Sequence, residues 1–367
     1  MRLYRKTSET LNNNNKKSIF LQQSGFMRIL IKCPSFNKHG GIRVLVEHAN
    51  GLSSLGHEVY FQSVNPSQKP DWIDINPNVE VIFGQAHFSP TFFDVIIAGS
   101  PFLALDIQAQ YPKTRSFMLL QMCEELFLPD NEKYVQACLK AYHLPMPIIG
   151  ISRWNQERVY NVHGRSQEYE FHYIGNGVGD EFTPGEKDPE LTILVEGWIG
   201  YNHAKDTNAI GPKVARRLKQ DFGAKVIAYS QFPKDTTQFG KLPFLEFRDV
   251  PDEYYTGPDT ETIVRLNQRA HILLKASHFD ARSCAPVEAM KCGTPTARAI
   301  DLGDDDLIHR YNSLRCAYNE QELYAAAAEL IENVGLRNEL IDNGLKYAET
   351  ELSWPRWTGE LEKIISK

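Results

Sequence analysis

Short apolar segments alternate with amphipathic helical segments along most of this 367-residue chain, and this alternation limits the folds open to it. The first apolar segment, Arg28–Cys33, predicts a strand that is buried on both faces. The segment after it repeats apolar residues at helical spacing from Ile42 to Leu55 and ends at Gly56. Strand–helix–strand order of this kind predicts a parallel sheet that helices cover on both faces.

The predicted strands form two series, which the polar segment Pro184–Pro189 separates. The first series comprises Arg28–Cys33, His57–Phe61, Val79–Phe83, Asp94–Ala98, Ser116–Gln121 and Ile148–Ser152. The second comprises Thr192–Val195, Lys225–Tyr229, Phe244–Phe247, His271–Lys275, Thr296–Ile300 and Arg315–Tyr318. Helical patterns lie between the strands, and two more helices are predicted from Leu336 to Lys367 with a break at Ser353–Pro355. We therefore predict an α/β protein with two Rossmann-like parallel-sheet domains, residues 27–185 and 186–350, which face a central cleft.

The first 26 residues lack the pattern of a folded core. Asn12–Lys17 is polar and of low complexity, and the only apolar run is Ile19–Leu21. We expect a disordered extension, since this run is too short for the core of a signal peptide. No stretch of 18 apolar residues occurs in the chain, so no membrane-spanning helix is expected.

Charge and cysteine content narrow the functional classes. The net charge is −6, which argues against nucleic acid as the main partner, because phosphate binding requires a basic surface. The six cysteines show no C-x-x-C spacing, so neither structural zinc nor a disulfide framework is expected. A reducing cytoplasm fits this pattern.

Open parallel sheets bind ligands beyond the carboxyl ends of their strands, so the loops after strands carry the candidate sites. The loop after the first strand contains Gly40 and Gly41 directly before a helix. Paired glycines let a backbone approach a ligand closely, and a helix N-terminus favours an anion. A tight turn that requires positive φ is the alternative interpretation.

A second loop, after His271–Lys275, carries two carboxylates eight residues apart, Asp280 and Glu288. Carboxylates accept hydrogen bonds from pairs of hydroxyls, such as those of a ribose or a hexose. Alternatively, Glu288 is an acid in the first turn of a helix, where it would complement the helix dipole.

A third loop contains three consecutive acids, Asp304–Asp306. Three carboxylates could hold a divalent metal. We expect instead a helix N-cap with acids in the first turn, and no metal site.

Together these segments resemble the retaining glycosyltransferases of the GT-B fold, a large group with an E-x7-E motif that includes sucrose synthases, glycogen synthases and bacterial cell-surface sugar transferases. The segments that carry the resemblance are Gly40-Gly41, Leu55–Val59, Ile151–Trp154, Ile174–Val178, Phe182–Pro184, Asp280–Glu288, Glu288–Pro295 and Leu352–Trp354. The resemblance extends over most of the chain from Met27. It implies that residues 351–367 form a last helix that returns to the first domain.

The resemblance also implies roles for individual residues. Glu288 would hold the ribose of a nucleoside-diphosphate sugar, and Asp280 would contact the transferred sugar. Backbone groups after Gly40-Gly41 and around Ser283-Cys284 would lie near the diphosphate and sugar. Asp306 would line the same pocket.

Several positions depart from the family pattern. Asp280 replaces a glutamate and Arg282 replaces an aromatic residue. In the loop after Trp198, Lys205 fills the position of a phosphate-binding lysine, whereas Gly200 stands near the position of an arginine. We therefore predict that Arg282 supplies the missing cation to the diphosphate. The alternative is that Arg282 faces solvent or pairs with a nearby acid.

The resemblance predicts a hexosyltransferase that retains the anomeric configuration, with Asp280, Glu288 and Lys205 at the catalytic centre. No cofactor and no metal are expected. The acceptor would be a glycan, a lipid-linked molecule or a small molecule, and a cytoplasmic enzyme of this kind could associate with the inner face of the membrane. The alternatives are a non-catalytic sugar- or nucleotide-binding subunit, a nucleotide-sugar 2-epimerase and a DNA-modifying glucosyltransferase.

Overall fold

The structure is a computed structural model that describes residues 25–65, 70–86, 88–197, 205–231, 233 and 249–367. The predicted strand Phe244–Phe247, the position Gly200 and most of the predicted N-terminal extension lie outside these residues.

The first domain is built on a parallel sheet of seven strands in the order β3-β2-β1-β4-β5-β6-β7. The strands are β1 (Arg28–Cys33), β2 (Glu58–Ser63), β3 (Glu80–Phe83), β4 (Val95–Ala98), β5 (Arg115–Leu120), β6 (Ile148–Gly150) and β7 (Phe171–Tyr173). The helices are α1 (Gly40–Ser54), α2 (Pro101–Gln110), α3 (Glu132–Tyr142) and α4 (Arg153–Glu157). β1 lies centrally, with Leu30 opposite Tyr60 of β2 and Ile96 of β4. Its apolar residues are fully buried, as a strand covered on both faces requires.

The second domain has a parallel sheet of six strands in the order β10-β9-β8-β11-β12-β13. They are β8 (Thr192–Glu196), β9 (Lys225–Ser230), β10 (Glu253–Thr256), β11 (Ile272–Asp280), β12 (Thr296–Gly303) and β13 (Leu314–Cys316). The helices are α5 (Ile210–Phe222), α6 (Thr260–Arg269), α7 (Cys284–Lys291), α8 (Glu320–Glu332) and α9 (Val334–Glu351). The predicted α/β class with two Rossmann-like domains is therefore confirmed.

β11 is longer than predicted, because it continues from Lys275 to Asp280. Polar residues such as Ser277 and His278 interrupt its apolar pattern, so the strand was not predicted beyond Lys275. The extension has a consequence for the site, since it places Asp280 at the end of a strand that pairs with β12.

The last helix, α10 (Trp354–Ile365), packs against α1 of the first domain. Nδ1 of His48 lies 3.2 Å from Oγ1 of Thr358. A Cβ at Gly51 would lie 2.7 Å from the Thr358 side chain, so the glycine permits the close helix contact. Leu361 and Ile365 are fully buried in the core of the first domain. The chain thus crosses from the second domain back to the first.

No helix in the described part of the chain is long and apolar enough to cross a membrane. All six cysteines are unpaired thiols.

Candidate functional site

The paired glycines lie at the N-terminus of α1, where this helix approaches the second domain. α1 begins at Gly40, and neither Gly40 nor Gly41 has positive φ, so the interpretation as a strained turn was wrong. A Cβ at Gly40 would lie 3.0 Å from Sγ of Cys284, at the first position of α7. A Cβ at Gly41 would lie 3.3 Å from Oε1 of Gln121. Gly40 therefore allows the N-terminus of α1 to approach that of α7 across the cleft, whereas Gly41 allows α1 to pack closely against Gln121 of its own domain.

Glu288 lies in the second turn of α7, with only 7% of its surface exposed. Burial raises the pKa of Glu288, and Arg43 of α1 opposes that rise. Nη1 of Arg43 donates to Oε1 of Glu288 at 3.1 Å. Glu288, the second-domain residue predicted to bind a ribose, is thus paired with Arg43 of the first domain.

Asp280 ends β11, and its carboxylate is almost fully engaged. Lys205 donates to Oδ1 at 3.0 Å, and Ser277 donates to Oδ2 at 3.2 Å. Burial alone would raise the pKa of Asp280, but Lys205, Lys275 and Arg298 together hold it well below its ordinary value. Asp280 is therefore ionised and fixed next to Lys205, another of the three predicted catalytic residues.

Arg298 of β12 contacts Asp280 and has no exposed surface. Its Nε donates to Oδ2 of Asp304 at 2.5 Å, and its Nη2 donates to Ser277 at 2.7 Å and to Asp280 at 3.4 Å. Asp304 in turn accepts a hydrogen bond of 2.7 Å from the backbone N–H of Ser283. Arg298 and Asp304 thus fix both ends of the segment that leads from β11 into α7.

Arg282 pairs with Asp306 rather than standing free in the cleft. Its Nε donates to Asp306 at 2.5 Å, Nη2 donates to the other carboxylate oxygen, and Nη1 donates to the hydroxyl of Tyr173 at 2.8 Å. The side chain is 3% exposed and lies over the ring of Trp357. Arg282 thus pairs with a nearby acid, which was the alternative interpretation of this residue. A contact between Arg282 and a diphosphate stays a prediction.

The three consecutive acids serve three different partners. Asp304 binds Arg298, Asp306 binds Arg282, and Asp305 accepts a hydrogen bond of 2.6 Å from the backbone N–H of Arg153 in the first domain. No helix begins after them, so the predicted N-cap was wrong. Gly303 and Asp304 have φ values of +103° and +54°, which turn the chain away from a helix. Among the described residues, no three or more His, Cys, Asp or Glu side chains are grouped so that they could hold a metal ion.

A cavity lies between the domains, at the carboxyl ends of both sheets. Its lining residues are Arg43, Val44, Asn176, Gly177, Val178, Gly179, Arg282, Ser283, Cys284, Val287, Glu288, Asp306 and Trp354. It brings together five of the seven predicted donor-binding residues. The predicted site residues that do not line it are Gly40, Gly41, Asp280 and Lys205. Burial, with Glu288 adding to it, raises the pKa of Cys284 to about 12, so its thiol is neutral near pH 7.

The sequence analysis assigned no role to three residues of the site. Arg43 follows the paired glycines by two positions, so its proximity to them was the available signal. Arg298 interrupts the apolar strand β12, and a charge within a buried strand is a sign of a paired or functional residue. Asn176 has a buried Oδ1 without a hydrogen bond in the described part of the chain, and it faces the cavity.

No family model and no curated protein matches this sequence. Solved structures do match. A sucrose-phosphate synthase from Thermosynechococcus elongatus superposes with a TM-score of 0.74 at 14% identity, covering 92% of this chain and 98% of that chain. HepE from Anabaena in complex with UDP-glucose gives 0.71 at 13% identity, with 93% and 99% covered. WaaG, a glycosyltransferase involved in lipopolysaccharide biosynthesis, gives 0.69 at 12% identity, with 92% and 99% covered. The chain therefore has the GT-B fold over nearly its whole described length.

Proposed function

We propose that this chain is a glycosyltransferase that moves a sugar from a nucleoside-diphosphate sugar to a hydroxyl of an acceptor. One observation carries the proposal: a cavity between two facing parallel sheets contains both Glu288 and the N-terminus of α7. A carboxylate that accepts hydroxyls and a helix N-terminus that favours anions suit the ribose and the diphosphate of one ligand. The structural neighbour HepE, which binds UDP-glucose, supports the same ligand class.

In this proposal each part of the donor meets a different group. The ribose hydroxyls donate to Glu288, and the diphosphate lies at the N-terminus of α7 near the backbone of Ser283 and Cys284. Lys205 adds a positive charge on the side of the transferred sugar, where Asp280 holds it. Because Gly40 has no side chain, the N-terminus of α1 lies close to Cys284, so backbone groups after Gly40 and Gly41 also lie near the diphosphate.

We further propose that the reaction retains the anomeric configuration and needs no metal ion. The bond from the anomeric carbon to the phosphate oxygen breaks, and the acceptor oxygen bonds to that carbon on the same face. The acceptor proton passes to the departing phosphate oxygen, so no separate protein base is required. Lys205 and the dipole of α7 stabilise the charge that develops on the leaving group.

A second candidate is a non-catalytic subunit that binds nucleotide sugars. The pairing of Arg282 with Asp306 favours this second candidate. An Arg282 that is held by Asp306 does not supply the positive charge to the diphosphate that the sequence predicted. Catalysis and binding are separable by experiment.

The test is a screen of UDP, GDP and ADP sugars. Thermal shift reports binding, because a ligand specific for the folded state raises the melting temperature. Release of the nucleoside diphosphate then reports transfer or hydrolysis, and NMR of the product reports its anomeric configuration. Binding with turnover that survives EDTA supports the transferase. Binding without turnover favours the subunit, and the absence of any binding contradicts both.

A further inference from the structure

Arg43 connects the two domains at the candidate ribose site. It lies in the first turn of α1, and its guanidinium bonds to three side chains from beyond residue 180. Nη1 donates to Glu288 at 3.1 Å, and Nη2 donates to Glu181 at 3.2 Å and to Thr260 at 3.1 Å. Its side chain is 17% exposed and lines the cavity.

The environment of Glu288 makes this contact consequential. The titratable or charged groups that influence it are Arg43, Glu181, Tyr229, Lys275, Cys284 and Cys292. Arg43 is the cation among them that is hydrogen-bonded to Glu288, whereas Lys275 forms an ion pair with Glu196. Without Arg43, the buried carboxyl of Glu288 would more readily hold a proton. A protonated carboxyl offers fewer lone pairs to hydroxyl donors than a carboxylate does.

The geometry leaves one oxygen of Glu288 for a ligand. Arg43 occupies Oε1, and no described residue donates to Oε2. Nearby, Nζ of Lys38 donates to the carbonyl oxygens of Gly257 and Pro258 at 3.1 and 2.5 Å. Lys38 and Arg43 thus both form polar contacts with the second domain, from the loop before α1 and from the first turn of α1.

We propose that Arg43 is a positioning residue that keeps Glu288 ionised and oriented, so that its free oxygen accepts a hydroxyl of the donor ribose. This inference rests on the proposed function. Because Arg43 and Glu288 belong to different domains, the ribose site is complete only when the domains meet as they do here. Recognition of the ribose in the second domain thus depends on a side chain of the first.

The experiment compares the binding of a nucleoside diphosphate with that of its 2′-deoxy counterpart by calorimetry. The probe is the tightest ligand among UDP, GDP and ADP, and the ratio of the two affinities cancels the titration of the phosphates. Wild type should prefer the ribose form at both pH 6 and pH 8.5. Arg43→Ala should bind the ribose form about tenfold or more weakly at pH 6. Its preference should be smaller than that of wild type at pH 6 and larger at pH 8.5 than at pH 6, because a higher pH favours the carboxylate.

Two further variants control this comparison. Arg43→Lys should keep most of the preference, since it restores a cation. Arg28→Ala removes a different arginine–glutamate pair of the same domain, at the start of β1, and should behave as wild type.

Two results would overturn the inference. One is an unchanged ribose preference in Arg43→Ala at both pH values. The other is an equal loss for the ribose and deoxy forms, which would place Arg43 on the phosphates instead. If wild type binds none of the three nucleotides, the proposed function itself fails, and the inference with it.

Discussion

Replacement of the buried Arg298 by methionine should strongly destabilise the second domain. Arg298 has no exposed surface, and its partner Asp304 is 2% exposed. Methionine fills much of the volume but leaves the Asp304 carboxylate without its cation. Breaking a buried ion pair by removing one partner costs about 3–5 kcal/mol. For a domain of this size we expect the melting temperature to fall by about 6–20 °C.

Two comparisons test the cause of this loss. In Arg298→Met with Asp304→Asn, both charges are removed, so a substantial part of the stability should return. Asparagine tolerates the positive φ at this position and can still accept the hydrogen bond from Ser283. Arg28→Met removes an exposed pair with Glu58 and should leave the melting temperature close to that of wild type.

The pH dependence gives an independent check. Arg298 is one of three cations that hold the pKa of Asp280 below its ordinary value. A carboxyl with a lowered pKa stabilises the fold above the pKa of the unfolded state, and this contribution is lost as pH falls. Without Arg298 that contribution is smaller, so the gap between variant and wild type should narrow toward acidic pH. Urea unfolding at pH 8 and at pH 3, below the ordinary pKa of an aspartate, measures it. A loss below about 1 kcal/mol at pH 8, or a double variant no more stable than the single one, would refute the reasoning.

Four other outcomes are expected. Gly303→Ala should lower the free energy of unfolding by about 3 kcal/mol or more, because φ is +103° and the new Cβ would lie 1.6 Å from the carbonyl oxygen of Asp280; a melting temperature like that of wild type would contradict it. Burial raises the pKa of Glu124 to about 8, so the stabilising contribution of the protonated carboxyl is lost as pH rises through that value. Glu124→Gln should therefore have a higher melting temperature than wild type at pH 9 but not at pH 4. Equal melting temperatures at pH 9 would contradict this prediction. Lys205→Met should reduce kcat for transfer about a hundredfold with a smaller effect on donor affinity, which steady-state kinetics would reveal, and an unchanged kcat would remove Lys205 from the catalytic centre. A chain beginning at Met27 should match the full chain in melting temperature and activity, since residues 1–26 show no core pattern; a large drop in either would show that this segment contributes.

The fold followed from the sequence because local signals were strong. β1 has the bounds that its apolar run predicted, Arg28–Cys33. β7 and β10 were not predicted, since three or four half-buried residues are too few to show a period. The break before α10 was visible in advance because Pro355 suits the first turn of a new helix.

The site was only partly readable, because ion-pair partners depend on the tertiary fold. The sequence located Glu288 and Asp280, but it did not indicate that Arg43 pairs with Glu288 and that Arg282 pairs with Asp306. Asp306 lies 24 positions after Arg282, and β12 separates the two residues in the sequence. The acids at 304–306 failed as a predicted cap for the same reason, since each is directed to a partner on another element.

The most direct test of the central claim is a calorimetric titration of wild type and Glu288→Gln with the nucleoside diphosphate that the screen identifies. If Glu288 holds the ribose, the variant should bind at least about tenfold more weakly, because a hydrogen bond to a charged group contributes about 1.5–3 kcal/mol. Its circular dichroism and melting temperature should stay close to those of wild type. Equal affinities in the two proteins would contradict the account and leave Glu288 as a structural acid of α7.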